Sequence, residues 1–87
     1  MQFTGKIVHA DGHEIEGVSG EYDIRSGSGL ISWGGNFAIP EGGFIDVGEA
    51  YRLVLDDGRT GKIVIREVRA GSSQTETAIF VGSGPTP

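Results

Sequence analysis

Glycine divides this chain into short apolar segments, and this division limits the fold more than any other feature. Sixteen of the 87 residues are glycine, placed singly or in pairs and without the three-residue period of collagen. Glycine-free stretches such as Glu49 to Asp57 are β-branched, aromatic or alternating, and they lack the i, i+3, i+4 spacing of an amphipathic helix. The sequence therefore predicts strands and turns, with no stable helix longer than one turn.

The predicted strands fill most of the chain and form one domain. The 37% of strictly apolar residues is enough for a compact core but not for a large internal cavity. We expect an all-β fold, a small antiparallel barrel or sandwich of about six or seven strands built from hairpins. The domain covers residues 1–82, and 83–87 form a flexible tail. The expected strands are 2–9, 13–25, 30–39, 43–47, 50–56, 59–70 and 76–82.

The clearest turn signal is the run Asp-Asp-Gly at 56–58. A two-residue loop there would mix polar and apolar side chains on one face of the hairpin. A three-residue loop, closed by Gly58 in the left-handed region, gives a consistent core face. This register pairs Leu55 with Arg59, Leu53 with Gly61, Tyr51 with Ile63 and Glu49 with Ile65.

The run Ala-Asp-Gly at 10–12 predicts a second hairpin of the same kind. Its three-residue loop sets the register of the first two strands and places Lys6 across from Glu16 on the outer face. The register pairs His9 with His13, Ile7 with Ile15, Gly5 with Gly17 and Phe3 with Ser19.

The turn at 56–58 lies within a longer pattern, Y-x-L-x-L-x-D-G-R-x-G-x-I-x-I. This chain has YRLVLDDGRTGKIVI at 51–65. A polar loop and the run Phe-Val-Gly-Ser-Gly at 80–84 follow it. The C-terminal part of the chain resembles small bacterial all-β proteins of uncharacterised activity. The resemblance implies a small β-barrel, and it brings no activity and no site residue.

Composition excludes several classes of function. The chain has no cysteine, so it has no disulfide, no thiolate nucleophile and no cysteine-ligated zinc. A formal net charge of -5 argues against binding to nucleic-acid phosphates, which depends on Lys and Arg. The N-terminal residues lack a signal-peptide pattern, and no apolar run approaches the ~18 residues of a membrane helix. We expect a cytoplasmic protein that binds neither nucleic acid nor membrane.

Few residues offer metal chemistry. His9 and His13 are the only histidines, and the expected register makes them a cross-strand pair with Asp11 and Glu14 nearby. A transition-metal site normally recruits more ligands than one exposed hairpin end supplies. We predict a solvated histidine pair, no metal site and no cofactor.

Catalytic residues are equally scarce. The acid pairs Asp46 with Glu49 and Asp56 with Asp57 lie at bends, where Asp is favoured for backbone reasons. Ser28 and Ser83 lie between glycines, but they lack the sequence context of a nucleophilic serine. We predict that the protein is not an enzyme.

Three basic residues share the outer face of the hairpin around 56–58. In the expected register Arg52 lies opposite Lys62, and Arg66 follows on the same side. Like charges directly across a ladder are unfavourable, so an acidic group should lie near them. The sequence leaves two interpretations open, namely pairing with Glu21 or Asp23 and a site for a small anion or an acidic partner.

The segment from Leu30 to Ile39 is the richest in large apolar side chains, and Gly34 and Gly35 indicate a bulge within it. Trp33 is most simply a core residue, with an exposed aromatic at an interface as the alternative. The segment has no Lys or Arg to guard a strand edge, although Pro40 and the two glycines interrupt it.

These observations predict a non-enzymatic protein-interaction module, with a homodimer formed at an edge that includes or adjoins 30–39. The alternative is a small-ligand or enzyme-accessory domain. Its pocket would be lined by Trp33, Asn36, Phe37 and Tyr51. A buried Trp33 without a concave pocket favours the interaction module, whereas a cleft with convergent polar groups favours the ligand-binding domain.

Overall fold

The computed structural model describes residues 1–27, 29–70 and 75–87, and within these ranges six antiparallel strands close into one ring. The strand order around the ring is β1-β2-β3-β6-β5-β4. The all-β prediction is confirmed, and the closed ring makes the fold a barrel. The strands are β1 (Gln2–Val8), β2 (Glu14–Gly27), β3 (Leu30–Ile39), β4 (Ala50–Leu55), β5 (Thr60–Ala70) and β6 (Glu76–Ser83).

The ring consists of two three-stranded meanders, β1 to β3 and β4 to β6. Two ladders join the meanders, one between β1 and β4 and one between β3 and β6. Since β3 and β4 are not neighbours, residues 40–49 must cross from one meander to the other. The predicted strand at 43–47 is therefore wrong, because this segment is a crossover without strand pairing.

One apolar side chain anchors the crossover to the barrel. Ile45 is buried, whereas Phe44 and Val47 on either side of it are 70% and 58% exposed. The Asp46 N–H donates a hydrogen bond of 2.9 Å to the hydroxyl oxygen of the buried Tyr51. The apolar pattern that suggested a strand thus reflects one inserted side chain between two exposed ones.

Inward-facing side chains from all six strands fill the barrel. Strand alternation places them, and no polar or charged residue among the described positions is buried. Aromatic rings dominate one end, where neighbouring ring centroids lie 5.9 to 6.4 Å apart. This aromatic cluster comprises Phe3, Tyr22, Trp33, Phe37 and Phe80.

The β4–β5 hairpin has the predicted register. Its turn is closed by hydrogen bonds from the Gly58 N–H to the Leu55 carbonyl and from the Leu55 N–H to the Arg59 carbonyl. Gly58 has a φ of 93°, which a side chain would strain. Tyr51 lies opposite Ile63, as the shared core face of the two strands requires.

The β1–β2 hairpin follows the predicted register only near its turn. Ile7 lies opposite Ile15 as expected, but beyond that point the register shifts by one residue and Gly5 lies opposite Val18. The predicted pairs of Gly5 with Gly17 and of Phe3 with Ser19 are wrong. A bulge at Gly17, which has a φ of 74°, returns Val18 to the core face.

The bulge also changes the ion pair on the outer face of this hairpin. Lys6 binds Glu14 at 2.5 Å, not the predicted Glu16. The hydrogen bond and the charge of Glu14 raise the pKa of Lys6. Both side chains are exposed, so the pair contributes little to stability.

Candidate functional site

The β2–β3 hairpin extends beyond the barrel as a two-stranded ribbon. The ladder between β1 and β2 ends at Glu21, and the ladder between β3 and β6 ends at Gly34. Among the described residues, 23–27 form a strand ladder only with β3, and 30–33 form one only with β2. We call these two segments the β2–β3 ribbon.

One face of the ribbon continues the core face of the barrel. Ile24 lies opposite Trp33, and strand alternation places Ile31 and the buried Tyr22 on the same side. Ile24 is 45% exposed and Ile31 is 71% exposed, because no part of the described barrel reaches over them. Leu30, on the opposite face, is 75% exposed. The ribbon therefore presents apolar side chains to solvent.

Trp33 marks the boundary between the core and the ribbon. It is buried, which confirms the prediction that it is a core residue. Its indole lies against Gly61 and Gly82, and its Nε1 donates a 3.1 Å hydrogen bond to the Gly84 carbonyl. The expected tail boundary at 82/83 falls within β6.

The four residues proposed to line a ligand pocket do not converge. Trp33, Phe37 and Tyr51 are buried inside the barrel, whereas Asn36 is exposed on its outer face. Trp33 and Asn36 border one shallow outer groove, and Tyr51 borders a different one. Within the described residues, these four side chains form no common cleft.

The strand edge expected at 30–39 is shorter than predicted. Residues 34–38 pair with β2 on one side and with β6 on the other, so they have no free edge, and Ile39 pairs with β6 alone. In the described structure, 30–33 pair with β2 on one side and with no strand on the other. Closure of the ring could not be read from the sequence, because it depends on ladders between distant segments.

The structure agrees in part with the predicted arrangement of the basic residues on β4 and β5. Arg52 lies directly opposite Lys62, and both are exposed. Arg66 lies at a bulge of β5, four residues beyond Lys62 and roughly 13 Å along the strand. The structure thus brings two of the three predicted cations together.

Acidic residues do not neutralise these cations. Among the described residues, none of the ion pairs includes Arg52, Lys62 or Arg66. Asp23 lies 3.9 Å from the N-terminal amine, and Glu21 is on β2, which the ring separates from β4 by β1. The interpretation in which Glu21 or Asp23 pairs with the basic residues is not supported by the geometry.

A shallow groove runs beside the two cations. Its lining includes Val8, Ala10 and Ala50, with Arg52 and Lys62 along it. Ser83, the cross-strand neighbour of Lys62, adds a hydroxyl group. The groove therefore combines an apolar wall with two positive charges.

The two histidines meet at the first turn as expected. The ring centroids of His9 and His13 are 5.5 Å apart, and the His9 N–H donates a 2.8 Å backbone hydrogen bond to the His13 carbonyl. His9 also packs perpendicular to Tyr51 at 4.5 Å. Its Nε2 is buried without a hydrogen-bond partner among the described residues. In that part of the chain, no group of three or more His, Cys, Asp or Glu side chains is placed to hold a metal ion.

The carboxylates of Asp56 and Asp57 accept hydrogen bonds at the β4–β5 turn, whereas Asp46 and Glu49 are joined by a backbone hydrogen bond from the Glu49 N–H to the Asp46 carbonyl. Asp57 accepts a backbone hydrogen bond from Arg59, which is the main cause of its lowered pKa, and it also binds the Arg59 side chain. Asp56 accepts a hydrogen bond from the Thr4 hydroxyl. Ser83 lies in β6, and Ser28 lies outside the described residues.

The described residues include no helix that is both long and apolar enough to cross a membrane. No protein-family model, curated protein or solved structure matches this chain.

Proposed function

We propose that this protein is a non-enzymatic interaction module that self-associates through the β2–β3 ribbon. The observation that carries the proposal is the exposure of Ile24 and Ile31 on a face that continues the core of the barrel. Apolar side chains at such a position lose their contact with water when a second surface covers them.

The two edges of the ribbon differ in the charged residues that they carry. The β2 edge carries Asp23 and Arg25, and the N-terminal amine lies near Asp23. The β3 edge, 30–33, has no charged side chain. Charged residues are a common means of preventing edge-to-edge pairing, so the β3 edge is the better candidate for contact with another strand.

A second copy of the chain fits this edge. Two β3 edges related by a two-fold axis perpendicular to the ribbon would pair antiparallel and supply each other's missing backbone hydrogen bonds. The same axis would keep the two apolar faces on one side. Ile31 of each copy would then lie beside apolar side chains of the other copy on that face, and this cross-strand contact would remove part of its surface from water.

Sedimentation equilibrium tests the proposal, with concentrations raised to about 1 mM because weak homodimers associate in this range. The informative variant is Ile31→Lys, which places a charge on the proposed interface. Phe44→Lys is a matched control, since Phe44 is 70% exposed against 71% for Ile31 but lies on the crossover.

We expect the wild-type protein and Phe44→Lys to form dimers and Ile31→Lys to remain monomeric. A wild-type protein that is monomeric at every concentration would exclude self-association. A dimer that Ile31→Lys leaves intact would exclude the ribbon as the interface.

A further inference from the structure

We propose that the groove beside Arg52 and Lys62 binds a phosphate monoester with an apolar body. This inference is independent of self-association, because the groove lies where the end of β1 and the β1–β2 turn meet β4 and β5, and not on the ribbon.

The backbone fixes the two cations next to each other. Arg52 and Lys62 are directly opposed across the β4–β5 ladder, which places their Cβ atoms roughly 4.5–5.5 Å apart. Both side chains are exposed on the same outer face. An oxyanion above the ladder would be within reach of the guanidinium fork and the ammonium group at once.

Arg52 and Lys62 belong to a row of cross-strand neighbours, and the nearest acidic residue in this row already forms an ion pair. Glu14 and Arg52 lie on opposite sides of Val8, so one strand separates them. The Glu14 carboxylate binds Lys6 at 2.5 Å. The repulsion between Arg52 and Lys62 thus has no counterion in the described structure, and a bound anion would relieve it.

Charge and shape together select the class of ligand. A phosphate monoester carries up to two negative charges, which matches two cations better than a carboxylate does. The wall formed by Val8, Ala10 and Ala50 adjoins the cations and would contact an apolar group attached to the phosphate. The overall charge of the chain is -5, so a positive groove is a local feature and not a general property of its surface.

Binding is tested by titrating the full chain with phenyl phosphate, inorganic phosphate and benzoate, and by following backbone amide chemical shifts. The full chain carrying Ile31→Lys is titrated in parallel, so that self-association cannot alter the result. We expect saturable shifts near residues 50–52, 62 and 83. The expected order of affinity is phenyl phosphate, then inorganic phosphate, then benzoate.

The double variant Arg52→Gln/Lys62→Gln should weaken phenyl phosphate binding at least about tenfold, as expected when charged contacts are lost. The matched control is Lys6→Gln/Arg69→Gln, which removes the same charge from two exposed residues already paired with acids. Thermal unfolding of both double variants verifies that they remain folded.

If the control variant weakened phenyl phosphate binding equally, the effect would depend on net charge alone, and this result would overturn the proposal. Absence of saturable shifts would do the same. Benzoate binding as tight as that of phenyl phosphate would overturn the assignment of a phosphate group.

Discussion

The indole ring of Trp33 occupies the space in which Gly82 would carry a side chain. A Cβ at Gly82 would lie far inside van der Waals contact with the ring, and a Cβ at Gly61 would lie 2.8 Å from Cη2. The two glycines on neighbouring strands thus form the surface that receives Trp33. The largest side chain of the core is accommodated where two strands have none.

Gly82→Ala should therefore destabilise the barrel. The added methyl group must displace a rigid ring, and overpacking of this kind costs about 3 kcal/mol. Gly27→Ala is the control, because a Cβ there meets nothing within 4 Å. Urea unfolding of both variants measures the difference, and equal stabilities would contradict the packing of Trp33 described above.

Gly58→Ala should lower the free energy of unfolding by about 1–2 kcal/mol, because the residue has a left-handed backbone conformation. Gly12→Ala should act in the same way at the first turn, where φ is 92°. Gly58→Asn is the control, since asparagine tolerates this region better than alanine. If alanine and asparagine are equally tolerated at position 58, the turn geometry is wrong.

Stability should fall in alkaline solution partly through Tyr51. Burial raises the pKa of its phenol, so the unfolded chain ionises first as the pH rises. The stabilisation from Tyr51 is complete below about pH 10 and is lost above it. Tyr51→Phe should cost about 1 kcal/mol at neutral pH, because the Asp46 N–H loses its acceptor. Its stability should nevertheless decline less than that of the wild type between neutral and alkaline pH. Parallel declines in chemical denaturation experiments would contradict this assignment.

Trp33→Phe should loosen the segment that follows β6. The variant removes the donor that binds the Gly84 carbonyl and part of the ring that lies against Gly61. Amide relaxation should report increased motion at Gly84 and Thr86, while the β4–β5 hairpin stays rigid. Unchanged relaxation at these two residues would show that the indole hydrogen bond does not hold the segment.

Zinc titration should detect at most weak binding at His9 and His13. Two imidazoles at one turn supply fewer ligands than a zinc site usually has. Calorimetry with Zn²⁺ gives the affinity, and His9→Ala identifies the ligands. A stoichiometric submicromolar site that disappears in His9→Ala would refute the prediction.

Local signals allowed the sequence to predict the β4–β5 hairpin, including its register and the opposition of Arg52 and Lys62. The turn glycine and the alternation of Tyr51 and Leu53 sufficed for this. The β1–β2 hairpin was predicted only as far as Ile15, because the bulge at Gly17 is visible mainly through its effect on Val18. Local signals also failed at 43–47, where one buried isoleucine gave the apolar pattern of a strand.

The ribbon could not be predicted from the sequence as a functional surface, although one signal was present. The predicted second strand, 13–25, is longer than the predicted first strand, 2–9, so part of it must lack that neighbour. Whether another strand covers the excess depends on where β6 pairs with β3. That pairing joins residues far apart in the chain, and strand propensity carries no information about it.

The arrangement of two meanders joined by a crossover has a consequence for folding. Each meander contains only neighbouring hairpins, whereas the joining ladders connect distant residues such as Gly5 and Leu55. Loop-closure entropy favours early formation of the meanders and late formation of the joining ladders. Residues 1–49 contain eight acidic and two basic residues, and 50–87 contain four acidic and five basic ones. The two halves therefore carry opposite net charges and attract each other, whereas the N-terminal halves of two molecules repel each other. This attraction assists the final step of ring closure.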